Sequence, residues 1–332
     1  MRHAHWVLFG LVGLFVLPVR GKSPAEPPKD APKPGNAVTA ALWFAHAYGS
    51  PEALVPGKDR ALKVKLISVL GKSPELTLEG ASDFLDRDQF RALAGGDKLG
   101  VAAMEKFVEG KVPAARRDMH PKVRAHLDLL TTQFDQIEEA HRTPNAELVE
   151  WVVKNHKPGR PLGVVVMCTG NTRRSVLGAQ MGNLAASYYG LTDVRFHSGG
   201  TDPDAVNPRT VATLREIGVE VEPTGQQAPR GKAGVANPIY KVCWGKGQEA
   251  LEFSKVYTDA ANPKDGFAAL LVCSEVDTAC PKVPGAGARI PLPYLDPKAF
   301  DGAPFEAAKY AERRDDIGRF MLSVCVQARR RL

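Results

Sequence analysis

The pattern of hydrophobic and polar positions divides the chain into parts of different texture. Val123, Leu127, Leu130, Phe134 and Ile137 recur at spacings of four and three. Such a stripe is the mark of a helix with one buried face, here predicted over 121–142 and ended by Pro144. Asn145 reads as the cap of a second helix over 146–155, with Leu148, Trp151 and Val152 facing inward. Weaker periodicity predicts earlier helices over 38–48, 58–70, 82–94 and 101–109. After Gly159 the texture changes. Residues 162–167, LGVVVM, form a short continuous apolar run, typical of a central parallel strand buried on both faces. A helix over 175–189 follows, stopped by Gly190, then a strand over 193–197. Next comes a helix over 208–217, with Pro208 in its first turn and Gly218 past its end. Strands over 239–244 and 268–273 and a long amphipathic helix over 304–329 complete the order. Alternating strands and helices predict an α/β fold: an open, mostly parallel four-stranded sheet with helices on both faces, preceded by an all-helical N-terminal region.

The first residues belong to neither part. Arg2 precedes a 14-residue apolar run, 6–19, shorter than the roughly 20 residues that span a bilayer. It suits the core of a signal peptide, with Val19 and Gly21 small enough to precede a cleavage site; a short uncleaved anchor is the alternative. Residues 22–36 hold five prolines among polar residues and form a semi-extended spacer. The expected organisation is therefore signal segment 1–21, linker 22–36, helical domain 37–157 and catalytic domain 158–332. The bulk of the protein is expected outside the cytoplasm, in the periplasm or cell envelope, touching a membrane only if the first segment is retained.

Of the 332 residues, 44% are hydrophobic and 24% charged, which excludes wholesale disorder and a multi-span membrane protein. The net charge of +7 suits an anionic substrate, but no basic stripe with interleaved aromatics points to nucleic acid. Five cysteines, Cys168, Cys243, Cys273, Cys280 and Cys325, all lie in the second half. An odd count in one region reads as thiol chemistry rather than as a disulfide scaffold. The histidines show no ligand spacing, and the cluster Asp83, Asp86, Asp88 lacks the glycine and terminal glutamate of a calcium loop, so neither a metal nor another cofactor is expected.

The chemistry concentrates in Cys168-Thr169-Gly170-Asn171-Thr172-Arg173-Arg174-Ser175, between the first buried strand and the helix after it. A turn from a strand into a helix N-terminus aims several backbone N–H groups at one point. Gly170 and Asn171 tolerate the positive φ such a loop demands. The Arg174 guanidinium can clasp an oxyanion with two hydrogen bonds. That positive environment favours the thiolate of Cys168, and the Ser175 hydroxyl can bond to it. The segment thus reads as a nucleophile at the floor of a cradle for a tetrahedral oxyanion.

CTGNTRRS after an apolar strand resembles the signature of the low-molecular-weight protein tyrosine phosphatases and the related thioredoxin-coupled arsenate reductases. His197-Ser-Gly-Gly-Thr201 resembles the family's segment after the second strand. Cys273-Ser-Glu-Val-Asp-Thr-Ala-Cys280-Pro281 resembles the reductase redox segment, and Asp296-Pro297 the general-acid dipeptide. The resemblance covers about residues 162–325 and implies two reactions. As a phosphatase, Cys168 would form a phosphocysteine while Asp296 protonates the leaving oxygen and then activates water. As an arsenate reductase, Cys168 would attack arsenic, Cys273 would attack Cys168 and expel arsenite, and Cys280 would move the disulfide to Cys273–Cys280, within reach of a thioredoxin-like donor.

Departures from the family pattern separate the two. The phosphotyrosine enzymes usually carry a second cysteine beside the loop arginine, where this chain has Arg173. They also tend to place tyrosines just after Asp-Pro, where this chain has Lys298, Ala299 and Phe300. These points and the pair Cys273/Cys280 favour the reductase. Export favours the phosphatase, because thioredoxin is cytoplasmic and the pair could rest as a disulfide outside it. A third class, a sensor that binds an oxyanion without turnover, would suit a chain lacking Cys168, Arg174 or Asp296. Residues 221–267 exceed the compact family members; Asn237-Pro-Ile-Tyr240, Cys243-Trp244 and Phe253-Ser-Lys255 offer a substrate rim as one reading, and an extra hairpin over the sheet edge is the preferred one. Cys243 and Cys325 read as core thiols, and His197 as packing beside the second strand.

Overall fold

The computed structural model of the protein describes residues 75–77, 98–100, 113–131, 133–229, 234–274, 276 and 282–332. The signal segment, the spacer, the Asp83 cluster, Cys280 and the helices predicted before residue 113 lie outside the described residues. Two short strands, β1 (Glu75–Thr77) and β2 (Lys98–Gly100), pair antiparallel within the part of the chain read as helical.

Helices α1 (Ala114–Arg117), α2 (Pro121–Leu130) and α3 (Arg142–Asn155) follow. The predicted stripe is real at Val123, Leu127 and Leu130, all buried. The helix stops at Leu130, however, and 3₁₀ turns at Phe134–Gln136 and Glu139–His141 carry the chain to α3. Pro144 does not end a helix; it lies in the first turn of α3, where a missing N–H breaks no bond. Asn145 is not a cap either. It is buried, donates to the Phe320 carbonyl at 3.4 Å and accepts from Gln327 Nε2 at 2.7 Å. Both bonds tie α3 to the C-terminal helix.

The main sheet is formed by β3 (Leu162–Cys168), β4 (Val194–Gly200), β8 (Phe267–Leu271) and β9 (Ala286–Pro291), all parallel in the order β4–β3–β8–β9. Helices flank it, as the α/β reading requires. α4 (Arg174–Tyr188) lies across β3 and β4, and α6 (Glu306–Arg331) packs on α4 and α3. Close approach of α4 depends on absent side chains. A Cβ at Gly178 would stand 2.6 Å from Val166 Cγ1, and one at Gly182 would overlap the Phe196 ring. On the other face, Tyr257 packs over Gly199 and Pro263 over Gly163. His197 lies on that face too, and burial, reinforced by Lys255, holds its imidazole below the ordinary value.

The strand predicted over 239–244 forms part of a second sheet, not of the first. After α5 (Pro208–Glu216), strands β5 (Glu220–Gln227), β6 (Pro238–Gly245) and β7 (Gln248–Glu252) make an antiparallel three-stranded sheet. The fourth parallel strand is β9, whose sequence AGARIP buries only Ile290 and so carries little apolar signal. Apolar residues of α2, α3, both sheets and α6 share one core. Among the described residues, no helix is long and apolar enough to cross a membrane.

Gly182→Ala sets two terms against each other. Alanine favours the helix by about 1 kcal/mol, but overpacking a filled core costs about 1–3 kcal/mol. With the Phe196 ring rigid and only 4% exposed, the clash wins. The denaturation midpoint of the variant is expected to fall; an unchanged or higher midpoint would show that helix and sheet separate freely here.

Candidate active site

Cys168 is the last residue of β3, and Arg174 opens α4. From β3 the chain passes to β4 on one side and later to β8 on the other, and a crevice forms at such a switch point beyond the strand ends. The connecting loop is fastened from outside through its carbonyls. Cys168 O accepts from Thr201 N at 3.3 Å, Thr169 O from Asp202 N at 2.9 Å, Gly170 O from Asp204 N at 3.1 Å and Thr172 O from Asn207 N at 3.0 Å. The Ser254 hydroxyl adds a second bond to Gly170 O at 3.1 Å. In a trans peptide the N–H points opposite to the carbonyl. Outward carbonyls at 168, 169, 170 and 172 therefore turn the amides of 169, 170, 171 and 173 inward, beside the positive end of the α4 dipole. Gly200 is the point of closest approach, since a Cβ there would press on the Thr169 carbonyl and on Asn171.

Asn171 holds the loop's shape. It is the only described non-glycine residue with positive φ, at 44°, and it is fully buried. Its Nδ2 donates to Ser175 Oγ at 2.8 Å, and its Oδ1 accepts from Lys255 N at 2.9 Å. Ser175 Oγ in turn lies 3.0 Å from Cys168 Sγ. Since that oxygen already accepts from Asn171, its own proton is free to serve the sulfur.

Behind Asn171 lies a buried ion pair. Lys255 Nζ is 3.3 Å from Glu252 Oε1, the two side chains being 5% and 4% exposed. Ser198 Oγ donates to Glu252 Oε1 at 2.6 Å and Gln180 Nε2 to Glu252 Oε2 at 2.7 Å. Sequence reasoning missed Glu252 and offered Lys255 only as part of a substrate rim, whereas its ammonium is buried behind the loop. They stand in LEFSK, a segment without a motif, and only burial marks them.

Above the loop, Arg174 Nη1 donates to the Tyr294 carbonyl at 2.8 Å, and its Nη2 lies 3.1 Å from Asp296 Oδ2. Arg173 grips the same carboxylate, Nε to Oδ1 at 2.8 Å and Nη2 to Oδ2 at 3.3 Å. Lys298 N donates to Oδ1 at 3.0 Å, so Asp296 also caps the 3₁₀ turn Pro297–Phe300. Burial would raise the Asp296 carboxyl, but Arg173, the Lys298 amide and Arg174 outweigh it and hold the group below the usual carboxylate value. Cys273 follows β8, with its sulfur 3.8 Å from Thr169 Oγ1. Burial pushes its thiol up, against the opposing pull of the Val276 amide, Arg174 and Thr169.

Thus Cys168, Arg174, Asp296 and Cys273 meet at one end of the sheet. Among the loop residues, Asn171, Arg174 and Ser175 are buried, Gly170, Thr172 and Arg173 half-buried, and Thr169 exposed. Cys325 is a core thiol of α6, pushed up to about 12 by burial. Cys243 is half-buried on β6, the middle strand of the second sheet, rather than inside the core.

A strand, an amide-lined loop and a helix around one cysteine define a cysteine-based enzyme fold of the phosphatase and arsenate reductase type. The family model described as low molecular weight phosphotyrosine protein phosphatase matches residues 163–234, so this part of the chain carries that family's domain. The match includes the loop and β4 but stops before Cys273, Cys280 and Asp296. No curated protein matches the chain.

Removing one member of a buried ion pair strands the other. Lys255→Met and Glu252→Gln are each expected to cost about 3–5 kcal/mol, and the double variant less than their sum. Chemical denaturation of all four proteins checks this, and strict additivity would show that the pair does not act as a unit.

Proposed function

We propose that the protein is an arsenate reductase working through a Cys168–Cys273–Cys280 relay. The observation that carries this reading is the place of Cys273, buried against the oxyanion loop with its sulfur in contact with Thr169. Arsenate lies on the inward amides and Arg174. The Cys168 thiolate attacks arsenic, an S–As bond forms, and an oxygen leaves as water. Cys273, as thiolate, attacks the sulfur of Cys168. An S–S bond forms, the S–As bond breaks, and its electron pair reduces arsenic(V) to arsenic(III). Cys280 then attacks Cys273, releases the Cys168 thiolate, and leaves a Cys273–Cys280 disulfide for a dithiol donor of the thioredoxin class. The apolar N-terminal run supports an exported protein, whose donor would then also act outside the cytoplasm.

A second reading, a phosphomonoester or phosphotyrosine phosphatase, is favoured by the description of the matching family and by the contact of Asp296 with Arg174. It stands second because a general acid must begin protonated. Arg173 holds Asp296 in the opposite state.

Purified protein given arsenate with a thioredoxin system, and p-nitrophenyl phosphate in parallel, separates the two. Arsenate-dependent turnover with little phosphate release is expected; the reverse result would overturn the reductase reading. Cys168→Ser should abolish turnover in either assay while still binding the oxyanion. Cys273→Ser should stop multiple-turnover arsenate reduction, and persistent turnover would exclude the relay.

Two pH dependences follow from the shifted groups. Burial raises the Cys273 thiol, so formation of the Cys168–Cys273 disulfide should accelerate as pH climbs through and beyond the ordinary cysteine value. Rapid-quench thiol counting after a single turnover would register this. In aryl-phosphate hydrolysis, Arg173→Ala raises the Asp296 carboxyl. Loss of a required acid, and with it the alkaline fall in rate, then moves to higher pH. An unmoved limb would mean that Asp296 is not the acid.

A further inference from the structure

The fold brings together three side chains whose positions in the sequence, 120, 220 and 243, show no motif. Glu220 on β5 and Cys243 on β6 are direct cross-strand partners. Directly opposed residues of an antiparallel pair have neighbouring Cβ atoms on one face. His120 is fastened beside them by its backbone, whose N–H donates to the Trp244 carbonyl at 2.9 Å, next to a bridge between Met119 and Gly245. Its Nδ1 lies 3.9 Å from Glu220 Oε1 and its Nε2 4.0 Å from Cys243 Sγ. One ligand atom from each residue falls within a mutual 4.8 Å.

We infer that His120, Glu220 and Cys243 form a site for a borderline-soft divalent cation, with Zn²⁺ as the best fit. Imidazole, thiolate and carboxylate together are a zinc donor set, and three protein ligands leave a fourth position for water. The backbones of His120 and Cys243 are fixed by hydrogen bonds. Glu220 has the mobility that remains, its side chain being 66% exposed. Swinging that carboxylate toward Nε2 brings three donors to one ion, while Nδ1 keeps the Gly218 carbonyl, now 3.4 Å away, as its outer partner. The Cys243 sulfur contacts the Gly245 carbonyl at 3.4 Å as a thiol, and on coordination its proton passes to solvent. Bound metal would clip the entry to α2 onto the second sheet, on residues that the proposed reaction does not use.

The test uses the full-length reduced protein, freed of metal and titrated with Co²⁺. One equivalent should produce a near-ultraviolet thiolate-to-cobalt band with tetrahedral visible bands, and one equivalent of Zn²⁺ should erase both. Cys243→Ser should lose the thiolate band. Glu220→Gln, on an exposed side chain that cannot unfold the protein, should bind about tenfold more weakly. Cys168→Ser should retain the band in full. Zn²⁺ should raise the melting temperature of the unsubstituted protein and not that of Cys243→Ser. Absence of the band, or its persistence in Cys243→Ser, would overturn the site.

Discussion

The hydrogen bonds of the Asn171 side chain are the constraint on which the site depends. A loop that turns its amides inward must hold a residue in the left-handed region, and asparagine is the non-glycine residue that tolerates it best. Here the same side chain also reaches Ser175, which faces the nucleophile, and the Lys255 backbone, which belongs to the chain after the second sheet. One amide thereby fixes loop curvature, the hydroxyl beside Cys168, and the docking of a segment more than eighty residues away. The buried Lys255–Glu252 pair stands behind this junction and leaves it little room to relax.

Around that junction the protein arranges charge unevenly. Around the Cys168 sulfur the floor of the site is built from amides and a helix end, which cannot titrate. Its roof is built from Arg173, Arg174 and Asp296, which respond to one another. Arg173, standing where the resembled phosphatases usually carry a cysteine, shapes the roof rather than the floor, because two of its nitrogens turn to Asp296. The difference between the two candidate reactions therefore lies in the roof and in the sulfur of Cys273, not in the nucleophile they share.

Much of this could be read from the residues alone, and for identifiable reasons. LGVVVM is apolar on both faces and had to be a central strand, so the cysteine ending it had to stand at a strand end above a helix. Gly190 and Gly218, both with positive φ, end their helices where the periodicity does. What could not be read was long-range or compensated. Pro144 reads as a stop because nothing local shows that a new helix begins two residues before it. β9 lacks an apolar run because it covers little of the core. Glu252 and Lys255 look like surface charges until the fold buries them together. His120 and Cys243 become neighbours only through strand pairing.

The shared grip of Arg173 and Arg174 on Asp296 also balances charge at this end of the sheet. Two guanidinium groups side by side would repel, and the carboxylate serves as their resident counter-ion. Entry of an anion is thus an exchange, in which the newcomer must compensate the cations at least as well as the tenant it displaces. Under the proposed reaction, the double charge of a tetrahedral oxyanion would meet that condition better than a single charge.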